Sequence, residues 1–462
     1  MTADPMHAIR ETLRAAYLED EPAAMARLSG LAALDGATRA AIGDRAAALV
    51  RAVRDDSDPG LMEEFLAEYG LSTREGVALM CLAEALLRVP DAETIDELIQ
   101  DKISPHDWGA HLGRASSSLV NASTWALMLT GQVIDEREGG GLTGTLRGVI
   151  RRLGEPVVRV AVSRAMREMG AQFVLGRDIG EAVRRGRDWE AKRYAYSYDM
   201  LGEAARTHAD AERYLGAYAG AIALLGAQAK SDDIRANPGI SVKLSALHPR
   251  YEFGHRDQML PEMVARVLQL ARAAAQGRMG LNIDAEEADR LDLSLDVIEA
   301  VLSDPSLAGW DGFGVVVQAY GPRAAHLIDW LHALAERLDR RIMVRLVKGA
   351  YWDTEIKRAQ VLGLGGFPVF TRKAHTDVSY IACARKLLGM TDRIYPQFAT
   401  HNAHTVSAVL AMTNDRRAFE FQRLHGMGEA LHDAVMAREG TRCRIYAPVG
   451  AHRDLLAYLV RR

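Results

Sequence analysis

From residue 194 onward, the sequence alternates short runs rich in β-branched and aromatic residues with longer helical stretches. The alternation repeats eight times over about 265 residues, and stretches such as 259–276 and 324–338 have the length of a helix. Eight strand–helix repeats of this size are typical of a (β/α)8 barrel, an α/β fold of about 250 residues. The predicted strands are 194–200, 240–244, 280–284, 314–319, 342–347, 394–400, 419–424 and 444–447.

A doubly wound open sheet is the rival architecture for such an alternation. That fold carries a Gly-x-Gly-x-x-Gly turn after its first strand, where the helix N-terminus meets a dinucleotide. No such turn follows the first predicted strand here. The glycines between 363 and 366 lie in a loop before Pro368 and not between a strand and a helix, so they indicate a turn instead.

The first 190 residues have a different, helical pattern. Ala, Leu, Arg and Glu dominate this part, and apolar residues recur at spacings of three and four, as around residues 66–86. Gly139–Gly141 and Pro90 and Pro105 interrupt the helices. We therefore predict two parts: residues 1–190 form a helical arm, a helical domain and a linker, and residues 191–462 form the barrel.

Charge and composition exclude several classes of protein. With 57 basic and 61 acidic residues among 462, the chain carries a net charge of −4, which gives no basic footprint for nucleic acid. No apolar run reaches about 18 residues, and the N-terminus lacks a secretory signal pattern. The three cysteines are far apart and form no Cys-x-x-Cys pair, as expected in a reducing cytoplasm.

Polar side chains stand where the predicted strands end, the edge at which barrels of this class build their active sites. Any one of them could be a solvated rim residue, but burying so many polar groups without purpose is costly. No histidine or cysteine spacing indicates a metal site. The strand-end residues are Asp199, Lys243, Ser245, Asp284, Glu286, Glu287, Gln318, Tyr320, Arg345, Lys348, Thr400, His401, Asn402, Glu420, Gln422, His425 and Tyr446.

The cations among these residues and at the end of the chain suit an anionic ligand such as a carboxylate or a pyrophosphate. Tyr458, Arg461 and Arg462 share one face of a final helix predicted over 451–462. In a regular barrel this helix carries its arginines away from the mouth. Two interpretations stay open: a basic C-terminus that stabilises the helix dipole, or a helix that lies across the mouth.

Several segments resemble the proline dehydrogenases, in particular the proline dehydrogenase part of bacterial proline utilization A. They follow one another in the right order through the barrel region. The segments are VKLSALHPRY (242–251), NIDAEEADRLDLSLD (282–296), RLVKGAYWDTEIKRAQ (345–360), FPVFTRKAHTDVSY (367–380), ATHNAHT (399–405), FEFQRLHGMGE (419–429) and RIYAPVGAHRDLLAYLVRR (444–462).

The resemblance implies a distorted barrel that holds FAD non-covalently at its mouth and oxidises L-proline to Δ1-pyrroline-5-carboxylate, passing electrons to a membrane quinone. It implies that the last helix covers the flavin. By resemblance, Lys243, Arg461 and Arg462 bind the substrate carboxylate, Tyr446 and Tyr458 pack on the proline ring, and Asp284 organises the site and contacts the cofactor region. The remaining flavin-contacting positions are Gln318, Arg345, Lys348, Gly349, Ala350, Tyr351, Trp352, Thr371, Arg372, Lys373, Thr400, His401 and Asn402.

Two departures from the family pattern lead to expectations about partners. Long members begin with a small DNA-binding domain, whereas this sequence opens with a helix-rich segment, so we expect no nucleic-acid partner. Bifunctional members continue into an aldehyde dehydrogenase domain, and we expect the natural protein to continue past Arg462 into such a domain. A cytoplasmic location, with peripheral attachment to the inner face of the membrane, and an oligomer are compatible with the sequence.

Two other functions remain open from the residues alone. A barrel aldolase or decarboxylase would use Lys243 or Lys348 as a Schiff-base nucleophile. A non-enzymatic scaffold would keep the helical part and a degenerate barrel, which the dense ring of polar strand ends disfavours.

Overall fold

The computed structural model describes residues 5–55 and 174–450, and it contains a closed barrel of eight parallel strands in sequence order. The prediction of a (β/α)8 barrel is therefore confirmed. Each predicted strand is present, and no end is displaced by more than two residues. The strands are β1 (Ala195–Met200), β2 (Gly239–Val242), β3 (Gly280–Ile283), β4 (Phe313–Gln318), β5 (Ile342–Val347), β6 (Ile394–Ala399), β7 (Glu420–Leu424) and β8 (Arg442–Val449).

Helices precede the barrel and alternate with its strands. Within the described ranges they are α1 (Pro5–Ala15), α2 (Glu21–Ala32), α3 (Gly36–Arg54), α4 (Ile179–Ala191), α5 (His208–Gly226), α6 (Arg256–Gln276), α7 (Leu291–Leu302), α8 (Ala324–Arg337), α9 (Trp352–Val361), α10 (Lys373–Leu388), α11 (Ala403–Met412) and α12 (Glu429–Glu439). Several begin with a side-chain cap, as where Thr207 and Asp210 form a capping box at α5.

The repeat is irregular between β5 and β6, where two helices, α9 and α10, stand in place of one. The glycine-rich segment joins them. Gly363 follows α9 with a φ of +63°, a conformation that glycine adopts without steric cost. The turn predicted at this position is confirmed.

The side chains of β1 show how the strands divide their surfaces. Successive side chains of a strand point to opposite faces. Tyr196 packs towards α4, where a Cβ on Gly186 would lie 2.9 Å from its ring. Ser197 faces the other way, and its Oγ lies 3.2 Å from the Oγ of Ser241 on the neighbouring strand. The apolar core therefore lies between strands and helices, and the barrel interior is polar.

A second polar layer lies deeper inside the barrel. Glu420 Oε1 accepts hydrogen bonds from Arg444 Nε at 2.7 Å and from Gln397 Nε2 at 2.9 Å. Asn282 Nδ2 donates to Gln397 Oε1 at 3.0 Å. The placement of Glu420 at the mouth was wrong, because this residue begins β7 rather than ending it. Its carboxylate belongs to the interior network.

The N-terminal helices α1–α3 pack on the outside of the barrel, against α8, α10, α11 and α12. Arg10 is almost fully buried there and pairs with Asp292 at 2.6 Å and Asp296 at 3.0 Å. Its guanidinium also lies 5.2 Å from the Trp330 ring centroid. Residues 5–55, 178–424 and 428–449 thus belong to one compact unit. The boundary placed at residue 190 stays a prediction.

The described residues 174–177, 425–427 and 450 belong to a second unit, in which Gly450 N donates to Gly176 O at 3.0 Å. The helices predicted between residues 66 and 169, and the final helix over 451–462, lie outside the described residues. Among the helices that are described, none is both long and apolar enough to cross a membrane.

Candidate active site

Three charged side chains meet where β1, β2 and β3 end. Lys243 follows β2, and its Nζ donates to Asp199 Oδ1 at 2.6 Å and to Asp284 Oδ2 at 3.3 Å. Asp284 follows β3, which pairs in parallel register with β2. Since parallel strands in a barrel end at the same rim, residues 44 and 41 positions apart in sequence come into direct contact.

Asp284 is the centre of this group, and two further side chains donate to its carboxylate. Tyr446 donates its hydroxyl to Oδ2 at 2.9 Å, and Arg345 Nη1 donates to Oδ1 at 3.0 Å. Burial alone would raise the pKa of Asp284, but the charges of Lys243 and Arg345 outweigh it and hold the pKa below its ordinary value. The carboxylate therefore stays ionised.

Arg345 reaches the cluster from inside β5, and only 3% of it is exposed. Hydroxyl groups of Ser241 and Ser197 each accept from its guanidinium at 3.0 Å. The guanidinium lies 5.0 Å from the ring centroid of Tyr446, a cation–π contact. Arg345 Nε is buried and has no hydrogen-bond partner among the described residues, so one donor is left for a ligand.

Asp199 and Lys243 have pKa values shifted in the same direction for different reasons. Burial raises the pKa of Asp199, which is fully buried. Burial alone would lower the pKa of Lys243, but Asp199 and Asp284 raise it well above its ordinary value. Lys243 is consequently an ammonium ion, which disfavours it as a Schiff-base nucleophile. It uses two of its three N–H groups on these carboxylates.

The strand ends of β4 and β5 are tied together by Gln318. Its Oε1 accepts from Ala350 N at 3.2 Å, and its Nε2 donates to Glu286 O at 2.9 Å. Between them, Gly349 has a φ of +142° and packs so closely on Tyr320 that a Cβ would overlap the ring. The loop after β5 is thus held in a conformation that requires glycine.

The remaining predicted flavin-contacting residues on this side surround α9 and the start of α10. Lys348 and Lys373 both pair with Asp377, the latter at 3.1 Å. Thr371 Oγ1 donates to Glu21 Oε2 of the N-terminal arm at 2.7 Å. The α10 helix has no side-chain cap at its first turn. The residues Trp352, Arg372 and Lys373 are exposed, whereas Tyr351 is buried.

The predicted site residues after β6 have local structural partners. Thr400 O accepts from His432 Nε2 at 2.9 Å, and His401 Nε2 accepts from Leu424 N at 2.9 Å. Asn402 caps α11 by accepting from Thr405 N at 2.9 Å. These hydrogen bonds fix the backbone of the loop after β6.

His432 anchors this loop, and its burial leads us to expect that the free energy of unfolding falls in acid. Burial lowers its pKa to about 4 from an ordinary value of about 6.5, so the native state prefers the neutral ring. This stability is present above about pH 6.5 and is lost as the pH falls towards 4; between pH 7 and 5 the loss is about 2 kcal/mol. Urea denaturation at both pH values measures it.

We expect His432→Gln to reduce this pH dependence by about that amount, because its amide can still donate to Thr400 O without titrating. His404→Gln, on an exposed position of α11, is the control and should leave the pH dependence unchanged. Equal loss of stability on acidification in wild type and His432→Gln would contradict the assignment.

Two groups of possible metal ligands occur among the described residues, and neither lies at the rim cluster. The more buried one contains His208, His248 and Glu262. His248 Nδ1 accepts from Arg250 N at 3.0 Å, so the neutral ring carries its proton on Nε2, which faces Glu262 at 3.3 Å. This geometry describes a hydrogen bond to the carboxylate rather than a metal-ligand set.

The structure brings Lys243, Asp284, Arg345 and Tyr446 together, as expected of one site. Tyr458, Arg461 and Arg462 lie outside the described residues. The sequence-based selection missed Ser197, Ser241 and the role of Asp199. The period-two alternation of β1 and β2, which puts these polar side chains on the inner face, could have identified them.

Comparison with known proteins gives three family matches along the chain. Residues 182–462 match the model described as proline dehydrogenase. Residues 7–54 match the proline utilization A proline dehydrogenase N-terminal domain. Residues 61–173 match the DNA-binding domain of proline dehydrogenase, so the expected absence of a nucleic-acid partner is not confirmed.

Similar full-length proteins are much longer than this chain. The bifunctional protein PutA of Rhizobium meliloti is 49% identical over 464 residues, covering 99% of this chain and 37% of the relative. That of Escherichia coli K12 is 52% identical over 411 residues, covering 87% of this chain and 31% of the relative. The chain therefore spans about a third of the length of these curated relatives.

Solved structures give the same result. A crystal structure of a mutant of Bradyrhizobium japonicum proline utilization A is 52% identical, with a TM-score of 0.73, and the match covers 96% of this chain and 45% of that one. The proline dehydrogenase match itself covers more than half of the chain and contains the whole barrel. The chain belongs to the proline dehydrogenase family.

Proposed function

We propose that this chain catalyses the FAD-dependent oxidation of L-proline to Δ1-pyrroline-5-carboxylate and passes the electrons to a quinone. The observation that carries the proposal is the buried Lys243–Asp284–Arg345–Tyr446 cluster at the rim of a barrel whose sequence matches proline dehydrogenase. Proline is a small zwitterion with an apolar ring, and this cluster offers it a cation and an aromatic face.

The donors at the rim fit a flavin dinucleotide. Arg345 Nε is a buried donor without a partner among the described residues, and it stands beside the substrate cluster. Gly349, packed against Tyr320 with a φ of +142°, holds the loop after β5 in one conformation beside the rim. Arg372 and Lys373 are exposed at the uncapped start of α10, which suits a diphosphate.

When bound, FAD would supply the acceptor for the hydride that leaves C5 of proline. The chain's own residues would position and hold the substrate. In this proposal the third N–H of Lys243 donates to the carboxylate of proline, and the Tyr446 ring packs on the pyrrolidine ring of the substrate. Asp284 stays ionised and holds three donors, so it organises the site and is not the group that accepts the amine proton.

The longer relatives suggest what the protein contains besides the barrel. Relatives at about 50% identity are named bifunctional and are two to three times longer than this chain. We therefore include a downstream aldehyde dehydrogenase domain that oxidises the hydrolysed product, a covering role for Tyr458, Arg461 and Arg462, and a cytoplasmic enzyme that meets quinone at the membrane surface.

Anaerobic titration tests the central step. The purified chain, loaded with FAD, should lose its visible flavin absorbance on addition of L-proline and regain it on addition of a soluble quinone. Borohydride with a carbonyl substrate should label neither Lys243 nor Lys348. A folded chain that binds no FAD, or whose flavin stays oxidised with L-proline while a Schiff base is trapped, would refute the proposal.

A further inference from the structure

A cavity lies at the opposite end of the barrel from the rim cluster. It has a volume of about 490 Å³, within the range of sites that bind small molecules. Its walls come from the first residues of β1, β7 and β8 and from the segment before β2, including Ala195, Pro238, Glu420 and Arg442. The proposed oxidation makes no use of this end of the fold.

The walls of this cavity carry more positive than negative charge. Arg193, Lys230, Arg235 and Arg442 line it, against two acids. One of the acids, Glu420, is already bound by Arg444 at 2.7 Å from inside the barrel. Lys230 lies near enough to Glu190, the other acid, to interact with it electrostatically, but neither Lys230 nor Arg193 forms a close ion pair with a described residue.

Two arginines of the wall are held in place from behind. Asp233 accepts from Arg235 Nε at 2.7 Å and from Arg442 Nη2 at 2.8 Å. These two guanidiniums lower the pKa of Asp233 to about 2, against the effect of its partial burial. A carboxylate behind the wall fixes both side chains and leaves their other N–H groups for a ligand.

Buried polar atoms of the wall lack partners. Arg442 Nη1 and Thr441 Oγ1 are both inaccessible and make no hydrogen bond to a described residue. Thr441 is only 5% exposed, and both residues line the cavity. Leaving such groups without a partner costs free energy, so side-chain conformations in which they meet a ligand in the adjoining cavity are favoured.

We propose that this cavity is a binding site for a small oxyanion, carried by a carboxylate or a phosphate group. Arg442 and Thr441 supply hydrogen-bond donors to the oxyanion, and Arg193 and Lys230 supply positive charge from the wall. The ligand binds independently of substrate and flavin, because the site shares none of the residues assigned to either.

Arg193 offers a way to separate binding from folding. It follows α4 with a φ of +70°, a left-handed conformation that favours glycine at the end of a helix. Arg193→Gly removes a cationic side chain while leaving the backbone in a conformation that suits it better. Its Tm should therefore equal or exceed that of the wild type, whereas its affinity for oxyanions should fall.

Isothermal titration of the full chain with inorganic phosphate and with citrate, at constant ionic strength set by chloride, tests the site. We expect at least one probe to bind wild type with a Kd of about 1 mM or lower. Arg442→Gln and Arg193→Gly should weaken binding about tenfold or more. Lys192→Gln, which removes the charge next to Arg193 but does not line the cavity, should bind as wild type does.

The pattern across probes and variants decides the outcome. Binding of phosphate alone or of citrate alone, weakened by both variants, supports the site and identifies the group it prefers. Failure of both probes to bind wild type overturns the proposal. So does equal weakening by Lys192→Gln and Arg193→Gly, because the effect would then be general surface charge.

Discussion

Replacing Lys243 by methionine should cost the protein both proline oxidation and stability. The substitution leaves Asp199 and Asp284 buried near each other without the cation that lies between them. Breaking a buried ion pair by removing one partner costs about 3–5 kcal/mol of unfolding free energy. We also expect kcat/KM for proline to fall, because a charged contact to the substrate carboxylate is lost. The fall should correspond to about 2–4 kcal/mol of transition-state binding.

A second substitution separates these two losses. In Lys243→Met combined with Asp199→Asn, the carboxylate that has lost its cation is replaced by a neutral amide of the same shape, whereas Asp284 keeps its ion pair with Arg345. Stability measured by urea denaturation should recover in large part, whereas proline oxidation should not. Lys386→Met is the matched control, since Lys386 pairs with Asp329 at 2.6 Å on the outside of the barrel. Full activity in Lys243→Met would remove this residue from the site.

We expect Gly349→Ala to reduce stability and cofactor binding by amounts of similar size. The Cβ of alanine would overlap the Tyr320 ring, and the φ of +142° is one that alanine rarely adopts. Strain and overpacking together should destabilise the fold by about 2–4 kcal/mol or displace the loop after β5. We expect FAD affinity, measured by titration of the apoprotein, to fall about tenfold or more.

Two comparisons identify the cause. Gly363→Ala places alanine at another positive φ, +63°, but with no atom within 4 Å of the new Cβ, so only the backbone strain remains. That variant should lose about 1 kcal/mol and keep its FAD affinity. Gly349→Ala combined with Tyr320→Ala removes the overlap and should regain part of the affinity. Identical behaviour of Gly349→Ala and Gly363→Ala would show that the contact with Tyr320 is unimportant.

The barrel could be predicted from sequence because its strands are buried on both faces and separated by helices of regular length. Strand β5 was placed at its observed ends, since Ile342 to Val347 is a continuous apolar run broken only by Arg345. Strand β8 was predicted two residues too short at each end, and Pro448 obscured the later end because proline is rare inside strands. The extra helix α9 has no counterpart in the ideal repeat, so the repeat alone could not predict it.

The site was predictable only in part, for a physical reason. Strand-end position identified Lys243 and Asp284, which are near the rim whatever the packing. The bonds of Ser197 and Ser241 to Arg345 depend on which inner-face residues stand opposite each other, and this depends on the register of a closed sheet. Spacing in the sequence does not fix that register. The roles of Tyr458, Arg461 and Arg462 stay predictions.

The packing of the N-terminal helices has a practical consequence for anyone trimming the protein. Glu21 accepts from the backbone N and hydroxyl of Thr371, 350 positions later, so the arm supports the segment that leads into α10. A fragment that began at β1 would contain every strand and every rim residue yet leave this segment without its partner. We therefore expect the segment that leads into α10 to keep this support only in fragments that contain both the N-terminal arm and the barrel.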